Sequence, residues 1–407
     1  MHPSSGFGLV EIMVAIVISL LASLAIYQTF NTSEGFRRST LGNGNAQSSG
    51  GIAIMQIQKE LERAGYGIGS NRALNCNVVS QNPNYTNFPL VPVRITSAAG
   101  GSDQISLMYS TSAAAGMPAM FGEGTTHTNN DDQFVNILLA SQYRADDLVV
   151  VWPDPGRQAQ ANCPLFQVTC ANATCSGTGT PAATPGKDFV LRHTANALWN
   201  GTALNQPFPT ALPMNTTRLF NFGAMVRRTY CVYLEGNPNQ CIGASDTTDG
   251  SLISMDVPKD RAIDQNSWTS TTENVIQLKA EYGFDTNTDG DKIPNNVSVW
   301  NNTTPTNLLG WQQLIAIRYA VLVRSNYPEK PDRAGNCNAT ASDAEFFWAG
   351  IQASDGLGDK GKFNKPTNAQ PSNTNWQCYR YTVHETVVPL RNQMFANQPN
   401  LLSTAAP

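Results

Sequence analysis

Charge is what this sequence has least of. Charged side chains make up 14% of the 407 residues, against about 25% in an ordinary globular domain, and the polarity comes instead from Asn, Thr, Ser, Gln and Gly. The net charge is −4 and no block of Lys or Arg occurs. The electrostatic footprint for gripping nucleic acid is therefore missing, and nucleic acid is not expected as a principal partner. Catalytic motifs are missing too. There is no G-x-S-x-G elbow and no Gly-rich phosphate loop behind a strand, and "HETVV" at 384–388 lacks the second His of a zinc protease. Nothing remains to organise as an active site, so the chain reads as a non-enzyme. No two cysteines stand at the two-residue spacing of a zinc knuckle, and His127, His193 and His384 are remote from any cluster, which argues against zinc.

What is present begins with an apolar run. From Phe7 to Phe30 there is one carboxylate, Glu11, and no Lys, Arg, Asp or Pro. As a helix rising about 1.5 Å per residue this stretch is roughly 36 Å long, enough to cross a bilayer. A glutamate in hydrocarbon costs a few kcal/mol even on lenient scales, so it calls for a partner or a function. A plain transmembrane anchor leaves Glu11 unexplained. A secretory signal cut at Ser23-Leu24-Ala25 would release a soluble adhesin starting near Ile26, but its n-region would lack a positive charge and its apolar core would contain the glutamate.

The stretch resembles the type IV prepilin signal, in which a short polar leader ends in Gly and is followed by Phe, three residues, Glu and an apolar helix. The counterparts here are the leader Met1–Gly6, then Phe7 and Glu11. One departure stands out: the leader carries only His2 where Lys or Arg is usual, while Arg37 and Arg38 lie beyond the apolar run, against simple positive-inside counting. The resemblance implies that a membrane aspartyl peptidase, the prepilin peptidase, cuts after Gly6, where a cleft around an extended chain leaves no room for a side chain. The same enzyme would methylate the new amino terminus of Phe7. Glu11 would be an assembly contact, attracting the terminal amine of a neighbouring subunit where low dielectric strengthens the pairing.

Beyond the apolar run, Gly35, Gly42, Gly44, Gly50 and Gly51 each weaken a helix by roughly 1 kcal/mol relative to Ala, and a bend or melted stretch is expected there. Helix resumes in "GIAIMQIQKELERAGYG". There Ile54, Ile57, Leu61 and Ala64 form a core-facing stripe, Lys59, Glu60 and Arg63 face solvent, and Gly65 and Gly67 supply the stop. After residue 67, short apolar or alternating runs at 104–110, 147–152, 165–169, 229–234, 275–284 and 314–325 read as strands of a mostly antiparallel domain. The segments 171–187, 235–272 and 326–375 read as surface loops. No internal repeat is found.

All eight cysteines, Cys76, Cys163, Cys170, Cys175, Cys231, Cys241, Cys337 and Cys378, lie downstream of the apolar run. An even count on the exported side of an anchor reads as disulfides in an oxidising compartment, with Cys231–Cys241 and Cys337–Cys378 the favoured pairs. "DTNTDGD" places Asp285, Asn287, Asp289 and Asp291 at alternate positions with Gly290 in the sixth place, an arrangement that can gather calcium. The twelfth position holds Asn296 instead of the bidentate Glu, which rejects an EF-hand and leaves a calcium-binding turn or a plain acidic turn between strands.

"LERAGYG" followed by Cys76, "DDLVVVW", "LFQVT", "NVIQLKAEYGFDTNTDGD", "WQQLIAIRYAVLVRS" and "YRYTVHETVVPLRN" resemble, in that order, the minor pilin family PilW and its type II secretion relative GspJ. The resemblance implies an α+β, pilin-like fold, a long N-terminal helix packed on a mostly antiparallel β-sheet domain with long loop insertions. It divides the chain into a leader (1–6), a transmembrane and assembly helix (7–30), a helix continuing into the domain (31–66) and an exported β-rich domain (67–407). It further implies a protein held in the bacterial inner membrane with its leader cytoplasmic, then placed near the tip of a pilus. Its partners would be other minor pilins, the major pilin, the inner-membrane assembly platform and a large tip adhesin, and it would prime assembly. A secretion pseudopilus or a DNA-uptake filament is the alternative machine, and no cofactor is required.

Overall fold

The computed structural model describes residues 8–68, 74–80, 82, 87–97, 101–113, 115, 118–120, 133–134, 142–152, 162–172, 190–195, 198–200, 217–234, 241, 250–256, 268–286, 295–332, 334–349, 361–364 and 375–396. One α-helix, Leu9–Leu61, runs unbroken for 53 residues, about 80 Å at 1.5 Å per residue. The bend expected between Gly35 and Gly51 is not there, and the reason is packing. Gly42, Ala46, Gly50, Ala53, Ile57 and Leu61 recur at three- and four-residue steps and are all buried on one face. A Cβ at Gly50 would stand 2.1 Å from His384 Cδ2, and one at Gly42 would stand 3.1 Å from Ser325 Cβ. The two glycines let the helix backbone lie close on a sheet, and those contacts offset their poor helix propensity. The helix ends after Leu61 in turns through Gly65 (φ +80°) and Gly67 (φ +82°); the Gly65 amide donates to the Met108 carbonyl at 2.9 Å.

The sheet beneath the helix has four antiparallel strands in the order Val299–Asn301, Val275–Phe284, Leu314–Arg324, Tyr381–Pro389. The helix packs chiefly on the last two, and the Tyr319 hydroxyl donates to the Ile54 carbonyl at 2.7 Å. A five-stranded antiparallel sheet follows in the order Trp268–Glu273, Ser251–Asp256, Val226–Tyr233, Gln104–Tyr109, Val93–Thr96. One of its strands, Ser251–Asp256, and nearly all of another, Trp268–Glu273, fall inside 235–272, which therefore is not only a surface loop. "WTSTTE" shows no apolar period because it is a half-solvated edge, and register with Ser251–Asp256 makes it a strand.

A six-stranded sheet runs Phe88–Pro89, Asn77–Ser80, Asn162–Gln167, Leu148–Trp152, Arg218–Gly223, Ala119–Met120. Asn77–Ser80 and Asn162–Gln167 are parallel, and every other strand pair among the described residues is antiparallel. A small three-stranded sheet, Gln133–Phe134, Val190–Arg192, Cys170–Asn172, completes the set.

One continuous core joins Ala53, Ile57 and Leu61 of the helix to the inner faces of the three larger sheets. "LVVVW" is buried along its whole length because both its faces are covered: Leu148, Val150 and Trp152 enter the main core, while Val149 and Val151 meet Phe166, Leu191 and Leu219 in a second one. Part of 326–375 also does more than decorate the surface. Trp348 and Phe363 cover Ala320 and Leu322 on the sheet face away from the helix.

Candidate functional site: the exposed half-helix and its anchorage

Every residue from Gly8 to Arg38 is exposed, including Leu9 at 77% and Phe30 at 69%. A soluble monomer rarely leaves a continuous apolar surface of this extent in water, so the sleeve requires lipid or other subunits around it. It is long and apolar enough to cross a membrane. Glu11 is its one charged residue up to Phe30, and its Oε2 accepts from the Gly8 amide at 3.0 Å. A carboxylate in the first turn satisfies a free N–H and meets the positive end of the helix dipole. Gly6 and Phe7 lie outside the described residues.

The other end of the helix is fixed by a polar network where solvent exposure had been expected. Glu60 is buried. Its Oε2 accepts from the Tyr109 hydroxyl at 2.8 Å, and its Oε1 lies 3.2 Å from Arg228 Nη1 and 3.9 Å from Arg63 Nη1. Arg228 in turn donates to Asp256 through Nε at 2.5 Å and Nη2 at 3.0 Å. Burial, and then the bond to Glu60, push the Tyr109 hydroxyl above its ordinary pKa. The bond to Asp256 leads among the causes that hold Arg228 firmly protonated. Helical spacing puts Glu60 beside Lys59 and Arg63, and nothing local reveals that Arg228 waits across the interface.

Disulfides clamp the domain. Cys76–Cys163 joins the two parallel neighbours of the six-stranded sheet; Cys231–Cys241 and Cys337–Cys378 span 10 and 41 residues. Cys170 is disulfide-bonded, and Cys175 lies outside the described residues. At the acidic turn, Asp285 is buried and its Oδ2 accepts from the amides of Asn295 at 2.8 Å and Asn296 at 3.1 Å, which closes the loop between two strands. Asn287, Asp289 and Asp291 lie outside the described residues. Among the described residues no group of three His, Cys, Asp or Glu is placed to hold a metal.

A single apolar helix, bare for its first half and built into an antiparallel domain by its second, defines a filament subunit of the pilin kind once its N-terminus is compared with known proteins. Residues 1–27 match the family model of the prokaryotic N-terminal methylation motif. Residues 241–392 match that of Type IV Pilus-assembly protein W. The match to PilW covers less than half of the chain; together the two matches indicate a minor pilin of the type IV pilus, anchored in the inner membrane by its helix before it joins the filament and meets other pilus components. A type IV-like pilin from Thermus thermophilus is similar over 84% of this chain and 95% of its own, at 8% identity and a TM-score of 0.28, a likeness that carries no argument. None of the curated proteins matches the chain.

Proposed function

We propose that this minor pilin sits at or near the filament tip, where it primes assembly with other minor pilins and the major pilin and presents a large tip adhesin. The observation that carries this reading is the pairing of a lone carboxylate, Glu11, with a bare apolar half-helix. The prepilin peptidase removes Met1–Gly6 and methylates Phe7. On its own the Glu11 carboxylate caps the Gly8 amide. In the filament it pairs with the terminal amine of a neighbour's first residue, an attraction that lipid and protein screen far less than water does. The assembly platform then moves the subunit out of the bilayer with that pairing in place. The size of the exported part suits one copy at an end better than a repeating subunit, since long loops are easily carried where no neighbour stacks above.

Two variants test the reading. Gly6→Val keeps the leader and the protein stays in the inner membrane. Glu11→Ala is cleaved, inserts and folds, but is lost from sheared filaments and no longer co-purifies with the other minor pilins. Normal piliation by Glu11→Ala removes the assembly contact, and normal cleavage of Gly6→Val removes the processing step.

A further inference from the structure

Arg37 and Arg38 stand on the side of the apolar run where positive-inside counting does not place them, and the structure brings two more cations to the same spot. Lys330 Nζ lies 3.4 Å from Asn31 Oδ1, and Arg380 pairs with Glu329 beside it. Together with Glu34, Arg38 and Asn31 these residues line one groove between the helix and the loop that starts at Asn326. Glu34 is shared between Arg37 at 3.6 Å and Arg38 at 3.2 Å, and Lys330 has no ion-pair partner among the described residues. Three cations, Arg38, Lys330 and Arg380, thus line the groove with two carboxylates, Glu34 and Glu329, and Arg37 stands beside it on Glu34, in a chain whose net charge is −4.

The height of the groove above the membrane says what it meets. The apolar run ends at Phe30, so the ammonium resting on Asn31 is level with the first residue outside hydrocarbon. Arg38 is about 10 Å further along the axis, but its side chain reaches back one turn to Glu34, toward the bilayer. The headgroup layer is roughly 5–8 Å deep on each side of the hydrocarbon. We infer that this junction binds the phosphate of an anionic phospholipid in the outward-facing leaflet, Lys330 and Arg38 supplying the charge and Glu34 opposing it, and holds the subunit in the membrane until filament neighbours replace the lipid. This goes beyond the tip assignment and stands independently of it.

The test is native mass spectrometry of the full, processed chain in detergent, mixed with equal amounts of phosphatidylglycerol and phosphatidylcholine. Phosphatidylglycerol is expected to be retained in preference. Arg38→Gln with Lys330→Gln should lower its retention by about 25-fold, at about fivefold per cation near the surface, and Lys330→Arg should behave as wild type. Glu34→Gln should raise retention. Equal retention of the two lipids, or unchanged retention by the double variant, overturns the proposal. Displacement by inorganic phosphate at concentrations matched to the lipid overturns it as well, by showing a free-anion site. If the double variant fails to fold, Glu34→Gln decides alone, and no rise in retention overturns the inference.

Discussion

Gly50 and Gly51 are neighbours in one helix with opposite surroundings, and substitution to alanine separates them. In an open helix interior, Gly→Ala is worth up to about 1 kcal/mol in favour of alanine. At Gly51 a Cβ meets nothing within 4 Å, so the variant should gain that amount. At Gly50 the same Cβ would stand 2.1 Å from Cδ2, 2.3 Å from Nε2 and 2.6 Å from Cγ of His384. To reach ordinary contact the imidazole or the helix must withdraw by more than an ångström, and overpacking of this kind costs about 1–3 kcal/mol. After the propensity gain, Gly50→Ala should come out destabilised by up to about 2 kcal/mol, and Gly50→Leu by more. Thermal unfolding of the purified chain in detergent, followed by circular dichroism, reads the difference; 1 kcal/mol corresponds to about 2–4 °C in a domain of 150–250 residues and to less in a larger one. The double variant closes the argument. With His384→Ala in place, Gly50→Ala should stabilise much as Gly51→Ala does, because the clash is gone. If Gly50→Ala alone melts at or above Gly51→Ala, the helix does not lie on His384 and the account of its straightness fails.

Burial holds the His384 imidazole below its ordinary pKa of 6.5. The unfolded chain therefore takes up the proton first, so this contribution to stability is complete above pH 6.5 and is lost as pH falls through the lowered folded value; His384→Gln should flatten that part of the melting profile, and an identical profile would contradict it. Glu60→Ala strips Tyr109 and Arg228 of a buried partner and should cost about 1–3 kcal/mol, with Glu60→Gln in between; equal melting of all three proteins would refute the network. Asp285→Ala should lower the melting temperature by the same amount with or without added calcium, since the lost bonds are to Asn295 and Asn296; a loss seen only with calcium would mean that the turn is held by the ion. Mass mapping under non-reducing conditions should find no alkylatable cysteine in the native protein, and a cross-link between Cys76 and Cys163 in particular; several free thiols would contradict the disulfide framework.

Much of the architecture is legible in the sequence because it is written in short-range pattern. "VIQLKAEYGF" and "LIAIRYAVLVR" are apolar enough to be strands covered on both faces, and they are the central pair of the four-stranded sheet. The two favoured disulfides also have their cysteines on short or loop-closing separations. What is not legible depends on residues distant in the chain. Five glycines read as a weak helix until His384 and Ser325 are known to lie against two of them. Glu60 reads as solvated until Arg228 and Tyr109 arrive from the five-stranded sheet. Cys76 and Cys163 are 87 apart in sequence, and only the parallel pairing of their strands brings them together. The proposed N-terminal site is the reverse case: its reading rests entirely on the local order of Gly6, Phe7 and Glu11, of which the structure describes Glu11 alone.

The buried seam from Gly42 to Leu61 has a mechanical consequence. It extends about 28 Å along the helix, and its last turns belong to the main core. Tension applied to the exported domain is passed to the stalk along the axis of that seam, so it loads the contacts in shear, all at once, and cannot peel them one after another. The Glu60–Arg228 pair at the far end works as a stop against slippage. A subunit joined in this way would transmit a pull from whatever the filament holds to the membrane-derived shaft without a hinge in between.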